Sequence, residues 1–188
     1  DVAAHVRDWL KWFVDTTGVT GLRLDAIKHI DQNFMRELMQ HAKTLYGADF
    51  SVFGAFWHGD FDIKDDYLNG TDFIFDLVDV GLHMNFFNAA QSGEAYDLTQ
   101  IFQGSLAEHI PTSTVTFVDN HDTQRGQSLQ STVDDWFKPI AYGIILLRER
   151  GLPCVFYGDY YGIEGEFGQE SFREVIDKLL YLRGYHAY

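Results

Sequence analysis

Residues 21–30 of this 188-residue chain read GLRLDAIKHI, an alternating segment that runs out into a charged loop. Successive side chains of a strand point to opposite faces, so Leu22 and Leu24 share one face and Arg23 and Asp25 the other. In the wall of a barrel the leucines would meet outer helices and the two charges would point inward. A buried charge is costly unless paired, so Arg23 is expected to hold the Asp25 carboxylate ionised. On these residues alone a structural ion pair is the competing reading. The C-terminal end of a barrel strand is, however, where catalytic groups sit.

Helix and strand signals alternate on both sides of this segment. Val2, Val6, Trp9, Leu10 and Phe13 keep helical spacing behind a capping Asp1, with Gly18 as the stop. Phe34, Leu38, Ala42 and Leu45 form a second stripe, closed by Gly47. DFSVFGAF (49–56), FIFDLVDV (73–80), STVTFVD (113–119) and PCVFYG (153–158) read as strands. Helices are expected from about Asp97 to Glu108 and from Asp134 to Arg150, the latter disturbed at Pro139. A last helix opens on Ser171 and Glu174 in capping-box spacing and stops near Gly184. Such alternation implies a parallel α/β sheet.

Asp25 and Ala55 lie 30 residues apart at the ends of successive strands. That matches the roughly 30 residues per unit of an eight-unit barrel of about 250 residues, of which this chain supplies about five units. The expected fold class is therefore α/β, the C-terminal portion of a (β/α)8 TIM barrel, about strand 4 to helix 8. Residues 1–188 would be one partial barrel domain that begins mid-protein, with the upstream strands and any C-terminal β domain absent. Cut there, VTGLRL and PCVFYG would be unpaired apolar edges, a profile that favours aggregation.

Composition narrows the partners. Hydrophobic residues make up 46% and charged residues 22%, as in a core-forming chain. A net charge of −14 repels nucleic acid and anionic membranes. Aromatics at 16% mean either a bulky core or stacking platforms for flat ligands. Cys154, the one cysteine, excludes an intrachain disulfide and reads as a packed thiol in PCVFYG. No run of 18 apolar residues spans a membrane. The N-terminal residues read as a helix and not as a signal peptide, which leaves localisation open.

Two further segments carry chemistry. TFVDNHDTQ, residues 116–124, sets Asp119, Asn120, His121 and Asp122 directly behind an apolar strand. Such a run can simply be a turn. An imidazole next to a carboxylate can also clasp the vicinal hydroxyls of a sugar, and two inward carboxylates on different strands, Asp25 and Asp122, favour glycosyl transfer chemistry. A metal pair of His121 with Asp119 lacks a third ligand nearby. SVFGAFWH, residues 51–58, is a buried strand running out into a loop, with Ala55 where the strand should deliver chemistry.

GLRLDAIKHI, FGAFWHGD, TFVDNHDTQ and PCVFYGDYYG, in this order and at these separations, resemble the α-amylases of glycoside hydrolase family 13, especially the bacterial liquefying type. The similarity extends over essentially the whole chain, including WFKPIAYGIILLRERG. It implies retaining endo-hydrolysis of α-1,4-glucosidic bonds in starch, glycogen and maltooligosaccharides. Asp25 matches the nucleophile, Arg23 the arginine beside it, and Asp122 the carboxylate that stabilises the transition state. His121 matches a histidine that hydrogen-bonds the sugar, Lys28 and His29 match residues touching glucose on the leaving-group side, and Trp57 lines the groove. The family's calcium is bound partly through the backbone carbonyl matched by His29, so calcium is implied. The full-length form is expected to be a monomer.

The departure is at Ala55. The family pattern there is Gly-Glu-aromatic-Trp, and the glutamate is the general acid/base; this chain reads Gly54-Ala55-Phe56-Trp57. Alanine can neither protonate a leaving oxygen nor activate water, and Asp60 and Asp62 lie beyond the strand end. A substitution made to trap substrate, a natural loss of turnover and a sequence error compete as its origin. The intactness of the other motifs favours the first. A non-catalytic α-glucan-binding protein and a family 13 glucanotransferase are the alternative functions.

Overall fold

The computed structural model describes residues 1–187, in two compact units that divide at Val78 and Asp79. In the first, helices α1 (Val2–Thr17), α2 (Gln32–Tyr46) and α3 (Phe61–Gly70) alternate with strands β1 (Gly21–Leu24), β2 (Ser51–Gly54) and β3 (Asp76–Val78). All three strands are parallel, with β2 between the others: Leu24 lies opposite Gly54, and Gly54 opposite Leu77. Each helix starts on an aspartate. Asp1 accepts from the Ala3 amide, Asp31 from that of Phe34, and Asp60 from those of Asp62 and Ile63. These carboxylates satisfy amides that the first helical turn leaves without partners.

Leu10 and Val14 of α1 and Met35, Leu38, Met39 and Ala42 of α2 form the buried stripes. The α2 stripe is rotated from the expected one: Met35 and Met39 are buried, while Leu45 is exposed. Each such side chain contributes about 1.5–3 kcal/mol on full burial. Gly54 has a specific steric reason. A Cβ there would lie 2.2 Å from Cδ1 of Ile27, which is fully buried.

The second unit contains α4 (Val80–Ser92), α5 (Leu106–His109), β4 (Thr114–Phe117), α6 (Lys138–Leu147), β5 (Leu152–Cys154), α7 (Tyr157–Tyr161) and α8 (Arg173–Leu182). β4 and β5 are parallel, Val115 facing Leu152 and Phe117 facing Cys154. All four β4 residues are buried. Leu82, Phe86, Phe137, Ala141, Tyr142 and Ile176 belong to one apolar cluster. The buried Asp79 carboxylate accepts from Leu82 N at 3.1 Å, Leu106 N at 3.2 Å and Ala107 N at 2.8 Å, so one side chain serves the starts of both α4 and α5.

Several sequence expectations are corrected. Helices α3 and α4 are additional. The expected helix from Asp97 to Glu108 is broken into a 3-10 turn, Leu98–Gln100, and the single-turn α5. Gly104 between them adopts φ +69, which ends right-handed helix. Pro139 sits in the first turn of α6, where its missing N–H costs nothing, so it opens that helix and does not disturb it. Ser171 does not form a capping box with Glu174. Its Oγ accepts from Arg173 N and donates to the Tyr160 carbonyl, and Glu174 pairs with Lys178. Cys154 is exposed, not packed, on a strand that pairs within its unit with β4 only.

His83 of α4 is completely buried and stacks on Phe117 with ring centroids 5.0 Å apart. Its Nδ1 donates to the Val118 carbonyl at 2.6 Å, which leaves Nε2 to accept from the Ser131 hydroxyl at 2.8 Å. The neutral ring satisfies both partners. Burial lowers its pKa from 6.5 to about 4. The unfolded chain therefore takes up this proton at higher pH than the folded one, so the stability held by neutral His83 is lost as pH falls from about 6.5 toward 4. Urea unfolding of the protein and of His83→Gln should show a stability difference that shrinks by about 3 kcal/mol between pH 7 and pH 4, at about 1.36 kcal/mol per unit.

Candidate active site

Asp25 follows the last residue of β1, and Ala55 follows the last residue of β2. Because Leu24 faces Gly54 across the parallel pair, the two are neighbours at adjacent strand ends, and Ala55 N donates to the Leu24 carbonyl at 2.8 Å. The alternation reading holds for β1: Arg23 and Asp25 share a face, with Arg23 Nη2 3.0 Å from Asp25 Oδ1. Both are exposed, the side chains 39% and 74% accessible, which corrects the expectation of a buried pair. A solvated pair of this kind is worth at most about 1 kcal/mol of stability, so its value lies in orientation.

The backbone turns sharply after Asp25. Ala26 adopts a left-handed conformation, φ 50 and ψ 31, and a 3-10 turn over Ile27–His29 follows. A β-carbon in that region costs about 1–2 kcal/mol. The buried Ile27, seated against Gly54, holds the turn in register. Lys28 Nζ reaches across to donate to the Trp57 carbonyl at 3.0 Å, tying the loop after β1 to the loop after β2. Lys28 and His29 are exposed and Trp57 is partly buried. Asp60 caps α3, and its own amide donates to His58 Nδ1 at 3.1 Å. Arg23, Asp25, Lys28, Trp57 and Ala55 are thus gathered at one end of the β1–β2 pair.

In the second unit the four polar residues behind β4 divide into two roles. Asn120 Oδ1 accepts from Asp122 N at 2.9 Å and Thr123 N at 3.0 Å, and Thr123 Oγ1 donates to Asp119 Oδ1 at 2.9 Å. Asp119, Asn120 and Thr123 therefore build the turn. His121 and Asp122 are presented by it, with Nε2 of His121 3.4 Å from Oδ2 of Asp122 and side chains 61% and 40% accessible. The turn reading holds for Asp119, Asn120 and Thr123, and the turn leaves His121 and Asp122 exposed side by side.

Behind this turn lies a buried cluster that the sequence reading missed. Lys138 is fully buried, pairs with Asp159, and lies 2.9 Å from Asp119 Oδ2. Gln169 Oε1 accepts from the same ammonium at 2.8 Å, and Tyr142 donates to Asp159 Oδ2 at 2.6 Å. Burial pushes the Asp119 carboxyl up to about 6, against the pull of Lys138. One ammonium serving two carboxylates leaves the cluster with an excess negative charge, which Thr123, Tyr142 and Gln169 offset by donating hydrogen bonds. The signals were a lysine inside the apolar run WFKPIAY and an aspartate inside FYGDYYG. Among the described residues, no three or more His, Cys, Asp or Glu side chains gather as a metal cluster.

Parallel strands alternating with helices, with polar groups collected at strand ends, define a parallel α/β domain of the barrel type. The description "Alpha amylase, catalytic domain" matches residues 1–179, and the chain belongs to that family. It is 42% identical over 188 residues to a glucan 1,4-alpha-maltohexaosidase of Bacillus sp. (strain 707), covering 100% of this chain and 36% of that protein. It is also 42% identical to an alpha-amylase of Geobacillus stearothermophilus, covering 100% of this chain and 34% of that protein. The chain thus spans about a third of the length of these curated relatives. The solved alpha-amylase of Geobacillus thermoleovorans, complexed with acarbose, superposes with a TM-score of 0.71 at 25% identity, covering 97% of this chain and 43% of that one. The expected C-terminal portion of a TIM barrel is the fold.

Removing the buried ammonium tests the support beneath the His121–Asp122 turn. Lys138→Met leaves Asp119 and Asp159 without their cation and should cost about 3–5 kcal/mol in urea unfolding at pH 7. The loss should shrink on acidification, as the buried Asp119 carboxyl, already raised to about 6, takes up a proton.

Proposed function

We propose that this chain carries the α-1,4-glucan site of a retaining endo-hydrolase, and that Ala55 stops its turnover. Asp25 is the nucleophile, with Arg23 orienting it. Asp122 stabilises the transition state, His121, Lys28 and His29 hold sugar hydroxyls, and Trp57 supplies a stacking wall. The observation that carries the reading is the β1–β2 register. The two carboxyls of a retaining pair stand about 5–5.5 Å apart, a spacing that suits adjacent strand ends, and the residue next to Asp25 there is an alanine. Asp31 and Asp60, the nearby acids, are engaged as helix caps. The substrates proposed are starch, glycogen and maltooligosaccharides, a class that the acarbose complex of the solved relative supports.

Two neighbouring readings use the same residues. A non-catalytic α-glucan-binding protein would use the same hydroxyl and stacking contacts without turnover, which the missing acid favours. A family 13 glucanotransferase would pass the Asp25-bound sugar to another sugar. Calcium, proposed at the His29 carbonyl, meets a simple obstacle: calcium takes six to eight oxygens, and His29 offers one. The residues described do not by themselves fit a complete calcium site.

General acid/base catalysis is worth about 10²- to 10⁴-fold. In a reducing-sugar assay on soluble starch, the protein should therefore be inactive or nearly so. Ala55→Glu should raise the rate by at least about 10²-fold. Adding Asp25→Asn to that variant should abolish the gain. Family-typical turnover by the unmodified protein would refute the reading of Ala55.

A further inference from the structure

A polar pocket of about 280 Å³ lies in the second unit, lined by α4 and by the segment that follows the His121–Asp122 turn. Phe87 and Gln91 come from α4, and Arg125, Gln130 and Asp134 from the segment. Among the described residues, none assigned to the proposed glucan site lines it. We propose that this pocket is a second carbohydrate site, taking a glucosyl unit of an α-glucan through amide, carboxylate and guanidinium contacts to its hydroxyls. The ligand class rests on the proposed function; the site itself uses neither Asp25 nor position 55.

The hydrogen bonds already made in the pocket decide what is left for a ligand. Gln91 Nε2 donates to Asp134 Oδ2 at 3.0 Å, which leaves Gln91 Oε1 and Asp134 Oδ1 as acceptors. Gln130 Oε1 accepts from Gly126 N at 2.7 Å, which leaves its Nε2 to donate. Arg125 gives one N–H to Asp135 Oδ1 at 3.2 Å and keeps its others. Among the described residues these remaining groups have no protein partner. Acceptors and donors lining one pocket suit vicinal hydroxyls, each of which both donates and accepts. Phe87, partly buried, adds an apolar ring for the C–H face of a sugar.

Charge and size exclude other small ligands. A calcium ion takes six to eight oxygens, and Asp134 is the one carboxylate lining the pocket. An anion would meet Arg125, but that guanidinium is already paired with Asp135, and the chain carries a net charge of −14. A neutral polyol meets neither obstacle. The volume lies just under the roughly 300–1,000 Å³ of pockets that enclose drug-sized ligands, which suits one or two sugar rings.

Internal bonds hold the pocket in shape. Ser131 and Thr132, which also line it, are 9% and 8% exposed. Ser131 Oγ lies 2.8 Å from Nε2 of the buried His83, and Thr132 Oγ1 donates to the Thr123 carbonyl at 2.8 Å. Phe167 packs over Gly126, where a Cβ would come within 2.6 Å of its ring. A pocket that is already formed gives up little ordering entropy on binding.

Titration with maltotriose, followed by calorimetry and by amide NMR shifts, tests the proposal. Two sites should appear, and the amides of Gly126, Ser131 and Thr132 should move. Gln91→Ala combined with Arg125→Ala breaks only exposed pairs. It should weaken one site by about 10-fold, the combined effect of two lost hydrogen bonds, and leave the other unchanged. Trp57→Ala with His121→Ala should weaken the other site alone. The amide shifts are read on the unmodified protein, so the test holds whatever the variants do to folding. Binding that moves none of the three amides and is untouched by the pocket variant would overturn the pocket and leave the proposed glucan site standing. A single site lost only through the pocket variant would sustain the pocket and overturn the proposed glucan site. No binding at millimolar maltotriose would overturn both. Sodium phosphate or calcium chloride moving these amides where maltotriose does not would overturn the carbohydrate assignment.

Discussion

The contact between the Ile27 side chain and the backbone of Gly54 couples two strand ends that must stay in register. Ile27 fills the space that any β-carbon at position 54 would take, and its burial anchors the turn that begins at Ala26. That turn sets where the chain leaves Asp25. The β1–β2 register then makes the residue after Gly54 the neighbour of Asp25. A side chain larger than glycine at 54 would displace Ile27, loosen the turn and shift Asp25 against Arg23 together. The chemistry at this end of the first unit is therefore set by packing beneath it, and the buried side chain at 55 is its last element.

The second unit solves a related problem with charge. A turn rich in Asp and Asn has many acceptors, and the His121–Asp122 pair stays presented only if the rest of the turn is satisfied. Asn120 and Thr123 do this locally, while Asp119 is drawn inward to Lys138. Buried ion pairs stabilise little in net terms, because desolvation consumes most of the attraction. What they impose is geometry, since neither partner can leave without exposing the other as an uncompensated charge.

How much of this was legible in the sequence follows from which forces act locally. The Asp1 cap, the Gly18 stop and the two-residue alternation of β1 are short-range, and GLRLD predicted the shared face of Arg23 and Asp25. The motif order made the barrel portion and the family legible as well. The α2 stripe came out rotated, with Met35 and Met39 buried beside Leu38 and Ala42, and Leu45 left exposed. Helices α3 and α4 were overlooked, one beginning inside a run of aspartates and the other directly at the end of a strand. The left-handed Ala26 has no signature at all, since alanine rarely adopts that conformation. The Lys138 cluster joins residues 119, 138 and 159, and no local pattern links positions so far apart in the chain.

The central claim is geometric: position 55 is where the second carboxyl of a retaining pair belongs. A crystal structure of the Ala55→Glu variant measures this directly, as the separation between the carboxyl groups of residues 25 and 55. The account predicts about 5–5.5 Å. A separation of about 6.5 Å or more, the range of inverting pairs, would contradict it.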